Sequence, residues 1–192
     1  MLAGIKAASL EQVLNIARDY ATLLGGSAGR LVLSLAYFAA VANALSIAEF
    51  GLFATASATG VVLSRIAGFG FVSPLYRAAT GRARLVGVYT AGYLAALALS
   101  LPVVMLAAAA FYLAVFRGDL ALLPFAAIAA AEILCWRSLE VVCIVNNGLG
   151  RFGRASLLVV GGSAAKAAAA LAFALIGAPN GIEGWSLFYL AA

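Results

Sequence analysis

The sequence contains few charged residues. Of its 192 residues, 10% are charged and 66% are hydrophobic, and the mean hydropathy is +1.10. Soluble proteins carry about 25% charged residues, because polar side chains must cover a surface that faces water. The composition therefore excludes a soluble enzyme, a nucleic-acid-binding module and a disordered chain. It indicates a protein whose solvent is a lipid bilayer.

Histidine is absent and cysteine is rare. The lack of histidine excludes zinc hydrolases of the His-Glu-x-x-His kind, Ser-His-Asp triads and haem ligation by imidazole. Cys135 and Cys143 lie eight residues apart in an apolar run, and we interpret them as small buried hydrophobic residues. The sequence has neither a glycine fingerprint for nucleotides nor an acidic metal cluster. We therefore expect no cofactor, no metal and no enzymatic activity.

Long apolar runs predict an all-α polytopic bundle with five full membrane spans and the start of a sixth. A helix needs about 20 mostly apolar residues to cross a hydrocarbon core of about 30 Å. The third run is too long for one such core and too short for two, so we expect Pro102 to kink one long helix there. The predicted spans are residues 31–47, 50–74, 85–116, 120–145 and 155–178, and a sixth opens at Ile182.

The two ends of the chain have patterns of their own. In residues 1–24, apolar residues recur at helical spacing and polar residues such as Glu11 occupy another face. That pattern predicts an amphipathic helix along the membrane surface, followed by a transmembrane helical lobe over residues 25–192. Near the other end, Trp185 and Tyr189 suit the membrane interface at which the sixth span begins.

The basic residues outside the spans predict the orientation of the chain. If the N-terminus is cytoplasmic, the inside segments hold eight Lys or Arg residues, whereas the outside loops hold Arg117 alone. Cytoplasmic loops of membrane proteins are enriched in these residues, so we expect a multi-pass protein of the inner membrane with a cytoplasmic N-terminus. The eight inside residues are Lys6, Arg18, Arg30, Arg77, Arg82, Arg84, Arg151 and Arg154.

Five ionisable residues lie within the predicted spans. A charged residue at the centre of a membrane helix costs about 2.5–3.5 kcal/mol, so such residues face a protein interior or a watery cavity and mark functional sites. Arg65, Arg137 and Lys166 predict binding of an anionic or phosphate-bearing ligand, since Arg offers paired donors and Lys a compact charge. Glu132 and Glu140 are predicted to hold these cations when the ligand is absent, or to bind a coupling cation.

Structural roles stay open for the same residues. Arg137 and Glu140 are three residues apart, so they can form a self-neutralising pair that only fixes helix packing. Lys166 can be a solvated residue near a helix end. A ridge of small residues accompanies Arg65 and indicates a close helix contact; it comprises Ser57, Gly60, Ser64 and Gly68.

Short stretches of the chain are similar to a known transporter family. After the predicted surface helix, residues 25–30 (Gly-Gly-Ser-Ala-Gly-Arg) lead into the first span. Residues 48–54 carry Glu-Phe-Gly-Leu-Phe into the second span, and residues 68–71 (Gly-Phe-Gly-Phe) lie near its end, with Arg77 beyond. In this order the chain resembles the polysaccharide (O-antigen type) flippases of the multidrug/oligosaccharidyl-lipid/polysaccharide exporter superfamily.

The resemblance implies a fold and a function. Members have two six-helix lobes around a cavity that opens alternately to each side. They move undecaprenyl-diphosphate-linked oligosaccharides to the outer leaflet for the synthesis of surface polysaccharides such as lipopolysaccharide or exopolysaccharide. For this chain the resemblance implies rocker-switch transport, with Arg65, Arg137 and Lys166 meeting the diphosphate or acidic sugars. We expect a first lobe that lacks most of its sixth helix, with membrane lipids and a second lobe or other polysaccharide-synthesis membrane proteins as partners.

Three other functions stay open. A cation-coupled multidrug exporter of the same superfamily would favour acidic cavity groups, whereas here the basic groups within the spans outnumber the acidic ones three to two. A non-transporting scaffold of a polysaccharide-synthesis complex, or a truncated fragment, fits the short length. A membrane-embedded glycosyl- or phosphotransferase is disfavoured by the lack of histidine and of a dense acidic motif.

Overall fold

The computed structural model describes the backbone of residues 2–192 and the side chains of Ala17, residues 20–22 and residues 24–192. Every regular element in this part of the chain is a helix, as the sequence predicts. The α-helices are α1 (Leu2–Ala44), α2 (Ile47–Ile66), α3 (Val72–Gly81), α4 (Val86–Phe111), α5 (Leu122–Ala130), α6 (Arg137–Gly148), α7 (Phe152–Leu175) and α8 (Gly181–Ala191). Two 3-10 turns, Ala67–Gly70 and Ala83–Leu85, and two π-helical turns, Tyr112–Phe116 and Ala131–Trp136, connect or extend them.

Four helical stretches are long and apolar enough to cross a membrane, which defines a membrane protein. They are Tyr20–Ala44, Ile47–Gly70, Ala83–Phe116 and Phe152–Leu175, and they correspond to the first, second, third and fifth predicted spans. The third is one continuous stretch of 34 residues with Pro102 inside it, as predicted. The fourth predicted span corresponds to α5, the second π-turn and α6, which follow one another without a break. Because it is not among the four, the count of five spans stays a prediction.

The first span differs most from its prediction. Helix α1 continues through residues 25–30, where the sequence predicts the boundary between surface helix and lobe, and the candidate span begins at Tyr20 instead of residue 31. Tight packing against α7 explains why glycines are present there without ending the helix: a Cβ on Gly26 would lie 2.8 Å from Cβ of Ser156. The amphipathic face predicted for residues 1–24 falls mostly on side chains outside the described ones.

The second span ends earlier than predicted because the helix breaks after Ile66. In the 3-10 turn that follows, Gly68 and Phe69 have φ values of 74° and 48°, a left-handed conformation that glycine adopts without strain. The freed N–H of Gly68 donates to Oγ of Ser100 in α4 (2.9 Å). The chain then begins α3, and Pro74 lies in its first turn, where a missing N–H leaves no intrahelical bond unmade.

The two ends of the bundle hold different loops. At one end the α6–α7 turn meets α3, since a Cβ on Gly148 would lie 2.8 Å from Cβ of Ala79. At the other end the start of α2 meets the start of α8, where the N–H of Ile182 donates to Oε1 of Glu49 (3.1 Å). The first end carries loops that the charge distribution predicts inside, and the second carries loops that it predicts outside.

Aromatic residues form the core between α1, α2, α5, α7 and α8. The Trp185 ring of α8 lies 5.7 Å from Phe53 of α2 and 5.4 Å from Phe173 of α7, centroid to centroid. Tyr189 packs beside them, and both α8 residues are buried. Protein side chains therefore cover both residues, and their predicted position at the membrane interface stays a prediction.

The outer surface of the bundle is strongly apolar. Helix α4 exposes Val88, Leu99, Met105 and Leu106, each with more than half of its surface accessible. A contiguous apolar face of this kind favours contact with lipid over contact with water. The exposed face thus agrees with the membrane placement that the composition predicts.

The two cysteines differ in their surroundings. Cys143 is buried, as predicted, whereas Cys135 is exposed, which corrects the prediction for that residue. Cys135 lies in the second π-turn, three residues after the buried Glu132. Its small apolar character suits a lipid-facing position as well as a buried one.

Candidate functional site

A buried polar network joins four segments of the bundle, and we call it the lysine site. It consists of Lys166 of α7, Glu132 and Trp136 of the second π-turn, Tyr189 of α8 and Ser57 of α2. Nζ of Lys166 donates to the Tyr189 hydroxyl (2.9 Å), and that hydroxyl donates to Oε1 of Glu132. Oγ of Ser57 donates to the same carboxylate oxygen (2.7 Å). The site therefore contains one cation and one anion linked through a neutral hydroxyl.

The amine of Lys166 lies beside both a carboxylate and an aromatic ring. Its Nζ lies 4.0 Å from Oε1 of Glu132 and 3.8 Å from the centre of the Trp136 ring, so it combines an ion pair with a cation–π contact. Glu132 is 6% exposed and Lys166 is 22% exposed. An unpaired charge at such a position is costly, and the network compensates both charges.

A second charged cluster, the arginine site, lies further along the same helices. Nη1 of Arg137 in α6 donates to Oε2 of Glu140 (2.7 Å), and Nη1 of Arg65 in α2 donates to Oε1 of the same residue (2.8 Å). Arg137 is 7% exposed, whereas Arg65 is 57% exposed and Glu140 is 39% exposed. One carboxylate therefore holds two guanidinium groups, one inside the bundle and one at its surface.

The lysine site and the arginine site result from the same alignment of α2 with the stretch from α5 to α6. Ser57 pairs with Glu132 and Arg65 with Glu140, and the partners are 75 residues apart in both cases. Helix α2 and the stretch from α5 to α6 therefore run in the same direction. Because eight residues of helix rise about 12 Å, the sites lie about that far apart along α2.

The π-turn between α5 and α6 brings both carboxylates to α2. In a regular α-helix, residues eight apart point about 80° away from each other. A π-turn contains one more residue than a turn of α-helix, and this residue offsets the rotation by about 100°. Glu132 and Glu140 therefore point in nearly the same direction, towards α2. Such wide turns occur often at functional positions.

The small-residue ridge of α2 permits this approach, as predicted. A Cβ on Gly60 would lie 2.8 Å from Cβ of Glu132 and 3.3 Å from Cα of Ala129. Ser64 is buried on the same ridge, and a Cβ on Gly68 would lie 3.2 Å from the Tyr93 ring. Glycine at position 60 therefore sets the distance across which Ser57 reaches Glu132.

The Glu-Phe-Gly-Leu-Phe stretch has a structural role at the end of the bundle. Oε2 of Glu49 accepts hydrogen bonds from the N–H and the hydroxyl of Ser46 (3.0 and 2.7 Å), which completes a capping box at the start of α2. Its Oε1 accepts from the N–H of Ile182 in the first turn of α8 (3.1 Å). One carboxylate thus caps two helices, each of which presents the positive end of its dipole.

The structure brings together the predicted site residues in two groups. Arg65, Arg137 and Glu140 form the arginine site, and Lys166 joins Glu132 in the lysine site. The predicted pairing of Arg137 with Glu140 is confirmed. The predicted ligand role of the three cations stays a prediction.

Sequence reasoning missed other members of these sites. Tyr189 and Trp136 were not expected near a charge, and Ser57 was interpreted only as a small ridge residue. Arg30 was placed in a cytoplasmic segment, whereas it lies inside the first candidate span. The eight-residue spacing of Ser57 and Arg65, which repeats in Glu132 and Glu140, is the signal that could have identified the pairing.

Family models, curated proteins and solved structures give no match. Among the side chains that the structure describes, no group of three or more histidine, cysteine or acidic residues could hold a metal ion.

Proposed function

We propose that the chain serves a flippase that moves lipid-diphosphate-linked oligosaccharides across the inner membrane for surface-polysaccharide synthesis. The proposal combines the resemblance that residues 48–54 suggest in the sequence with an excess of positive charge among the described side chains within the bundle. Arg65, Arg137 and Lys166 share only two carboxylates, Glu132 and Glu140. A diphosphate group carries the opposite charge that would compensate the remaining cation.

The shared carboxylate of Glu140 is the observation on which the proposal mainly rests. Each guanidinium uses a single Nη1 bond to it, although a guanidinium has five donors. Nε of Arg137 is buried and has no hydrogen-bond partner in the described part of the chain. Arg65 is more than half exposed. The arginine site therefore keeps donors available for phosphate oxygens, and Arg65 is the residue that a ligand reaches first.

Transport then requires exchange of partners at the arginine site. In the resting state Glu140 holds both guanidinium groups, and substrate binding replaces part of this contact with bonds to the diphosphate. Since both states pair the cations, the bundle avoids an uncompensated charge throughout. The sugars pass through a cavity between this lobe and a second lobe in alternating access, while the prenyl chain stays in the lipid.

The lysine site serves a different purpose in this mechanism. Lys166 contacts Glu132, Tyr189 and the Trp136 ring, so a ligand must displace some of these contacts to bind it. We assign it to the step in which the substrate moves deeper into the bundle. Its test is separate from that of the arginine site.

An experiment in the native host tests the proposal without assumptions about partner proteins. The chromosomal gene is edited to give Arg65→Gln, Lys166→Ala or the double change Arg137→Ala with Glu140→Ala. Arg77→Gln, on the exposed face of α3, is the charge-matched control. Surface polysaccharide and accumulated lipid-linked oligosaccharide are measured at equal protein abundance.

The proposal predicts a loss of surface polysaccharide with accumulation of the lipid-linked precursor in the three site variants and not in the control. The double variant separates function from packing, because it removes the buried charge pair as a unit. Normal polysaccharide in all three variants would contradict the proposal. If Arg77→Gln lost as much surface polysaccharide as the site variants, the loss would result from the lower total charge and not from the site.

A further inference from the structure

Among the residues whose side chains the structure describes, Arg30 is a cation in a candidate membrane helix that pairs with no anion. It lies within the candidate span Tyr20–Ala44 of α1, and it is exposed. In the part of the chain whose side chains are described, no hydrogen bond or ion pair of its guanidinium is found. Arg65 and Arg137, by contrast, both bond to Glu140.

A groove between α1, α7 and the end of α6 surrounds Arg30, and we call it the Arg30 groove. Its volume is about 500 Å³. Its lining includes the polar residues Ser27, Ser34, Ser156 and Asn147. Lined in this way, the groove offers more hydrogen-bonding groups than the lipid-facing surface of α4 does.

The amide oxygen of Asn147 gives a second, independent indication of a ligand. Oδ1 of Asn147 is buried and accepts no hydrogen bond from the described residues. A buried acceptor without a donor costs about 1–3 kcal/mol, and such groups call for an explanation. The lining of the groove thus includes one residue with a cationic donor and one with an orphan acceptor, which matches a ligand that carries both an anion and a hydroxyl group.

The position of the groove along α7 favours a ligand that comes from the membrane over one that comes from the solvent. Its α7 residues extend only to Val159, and α7 begins at Phe152. Seven residues of helix rise about 10 Å, so the groove lies within about that distance of the turn that carries Arg151. A spanning helix meets the polar headgroup region at each end, so the groove reaches from that region into the bundle.

From these observations we infer that the Arg30 groove binds the phosphate-bearing headgroup of a membrane lipid. Arg30 contacts the phosphate, and Oδ1 of Asn147 accepts from a headgroup hydroxyl. A glycerol or sugar hydroxyl next to the phosphate satisfies both groups, so an anionic phospholipid and a lipid-linked saccharide offer the same chemistry. The inference does not depend on the proposed function, because an anionic phospholipid alone fulfils it.

Native mass spectrometry of the detergent-solubilised chain measures the binding directly. The probe is phosphatidylglycerol, and the variants are Arg30→Gln and Arg77→Gln, which each remove one exposed positive charge. We expect Arg30→Gln to weaken binding about tenfold, the effect of losing a charge-assisted contact, and Arg77→Gln to weaken it less than about twofold. Arg30→Lys keeps the charge without the paired donors and should give an intermediate value. Equal effects of Arg30→Gln and Arg77→Gln would overturn the inference.

A second comparison tests the hydroxyl contact and the lipid source. Phosphatidylmethanol carries the same charge as phosphatidylglycerol but lacks headgroup hydroxyls. The wild-type chain should prefer phosphatidylglycerol, and Asn147→Leu should abolish that preference while phosphatidylmethanol still binds. Equal binding of the two lipids to the wild type would overturn the role of Asn147. Displacement of the lipid by millimolar glycerol 1-phosphate would overturn the assignment to a membrane lipid and indicate a soluble anion.

Discussion

Lys166 and Glu132 lie 4.0 Å apart, and the hydroxyl of Tyr189 joins them by accepting a hydrogen bond from one and donating a hydrogen bond to the other. The tyrosine hydroxyl thus connects the cation and the anion of the lysine site. It belongs to α8, whereas the charges belong to α7 and the π-turn before α6. Hydrogen bonds to Lys166 and Glu132 therefore help to hold α8 against the rest of the bundle.

Removal of the Tyr189 hydroxyl should destabilise the bundle. In Tyr189→Phe, Lys166 and Glu132 lose a shared partner in a buried setting, and we expect a loss of about 1–3 kcal/mol in the free energy of unfolding. Tyr76→Phe, at an exposed position, is the control and should change it by less than about 0.5 kcal/mol. Unfolding in mixed micelles gives both values, and equal stabilities of the two variants would contradict the role of the hydroxyl.

The two arginines on Glu140 should differ in their contribution. Glu140→Gln leaves Arg137 buried without an anion, so we expect a loss of about 3 kcal/mol in the free energy of unfolding. Arg65→Gln removes an exposed partner of the same carboxylate and should cost less than about 1 kcal/mol. Chemical unfolding of the purified variants distinguishes these outcomes. If Arg65→Gln lowered the free energy of unfolding as much as Glu140→Gln does, the burial of Arg137 would not explain the cost of losing Glu140.

A methyl group on Gly60 should separate α2 from the π-turn. Gly60→Ala places a Cβ 2.8 Å from Cβ of Glu132, and overpacking of this kind costs about 1–3 kcal/mol. Gly51→Ala lies in the same helix with nothing within 4 Å of the added atom, so it should be neutral or slightly stabilising. Thermal unfolding compares the two variants. Stability of Gly60→Ala equal to that of Gly51→Ala would contradict the close contact.

Glu49 should stabilise two helix starts at once. Glu49→Ala removes the partner of both Ser46 and the N–H of Ile182, and loss of a cap costs about 0.5–2 kcal/mol. Glu183→Ala removes an acidic residue from the first turn of α8 and serves as the charge control. Hydrogen exchange of the Ile182 amide should accelerate only in Glu49→Ala. Unchanged exchange there would show that the carboxylate does not cap α8.

Much of the fold was predictable because a chain segment inside a lipid bilayer must be apolar and helical. Apolar runs must form helices, since unpaired backbone groups are too costly in hydrocarbon, and the limits of the third and fifth spans were predicted to within a few residues. The rule says nothing about helix breaks such as the one at Gly68, which depends on the hydrogen bond to Ser100. It also gives no sign that α1 continues past Gly26, which depends on packing against α7.

The candidate site was predictable only in part. The cost of intramembrane charge identified Arg65, Arg137 and Lys166 from the sequence alone, and the three-residue spacing identified the Arg137–Glu140 pair. Tyr189 was assigned to the interface because an aromatic residue near a helix end suits both the interface and a polar core contact. Which of the two it adopts depends on how α8 packs, and no local pattern encodes that packing.

Translocation in membrane vesicles measures the proposed flippase activity itself. Inside-out vesicles from the native host, with the gene intact, deleted or carrying Arg65→Gln or Arg77→Gln, receive a fluorescent polyprenyl-diphosphate-linked oligosaccharide, and its protection from an external quencher is followed over time. We expect rapid protection with the intact gene and with Arg77→Gln, and a rate at least about tenfold lower with the deletion and with Arg65→Gln. Equal rates in vesicles with and without the gene would contradict the proposed activity.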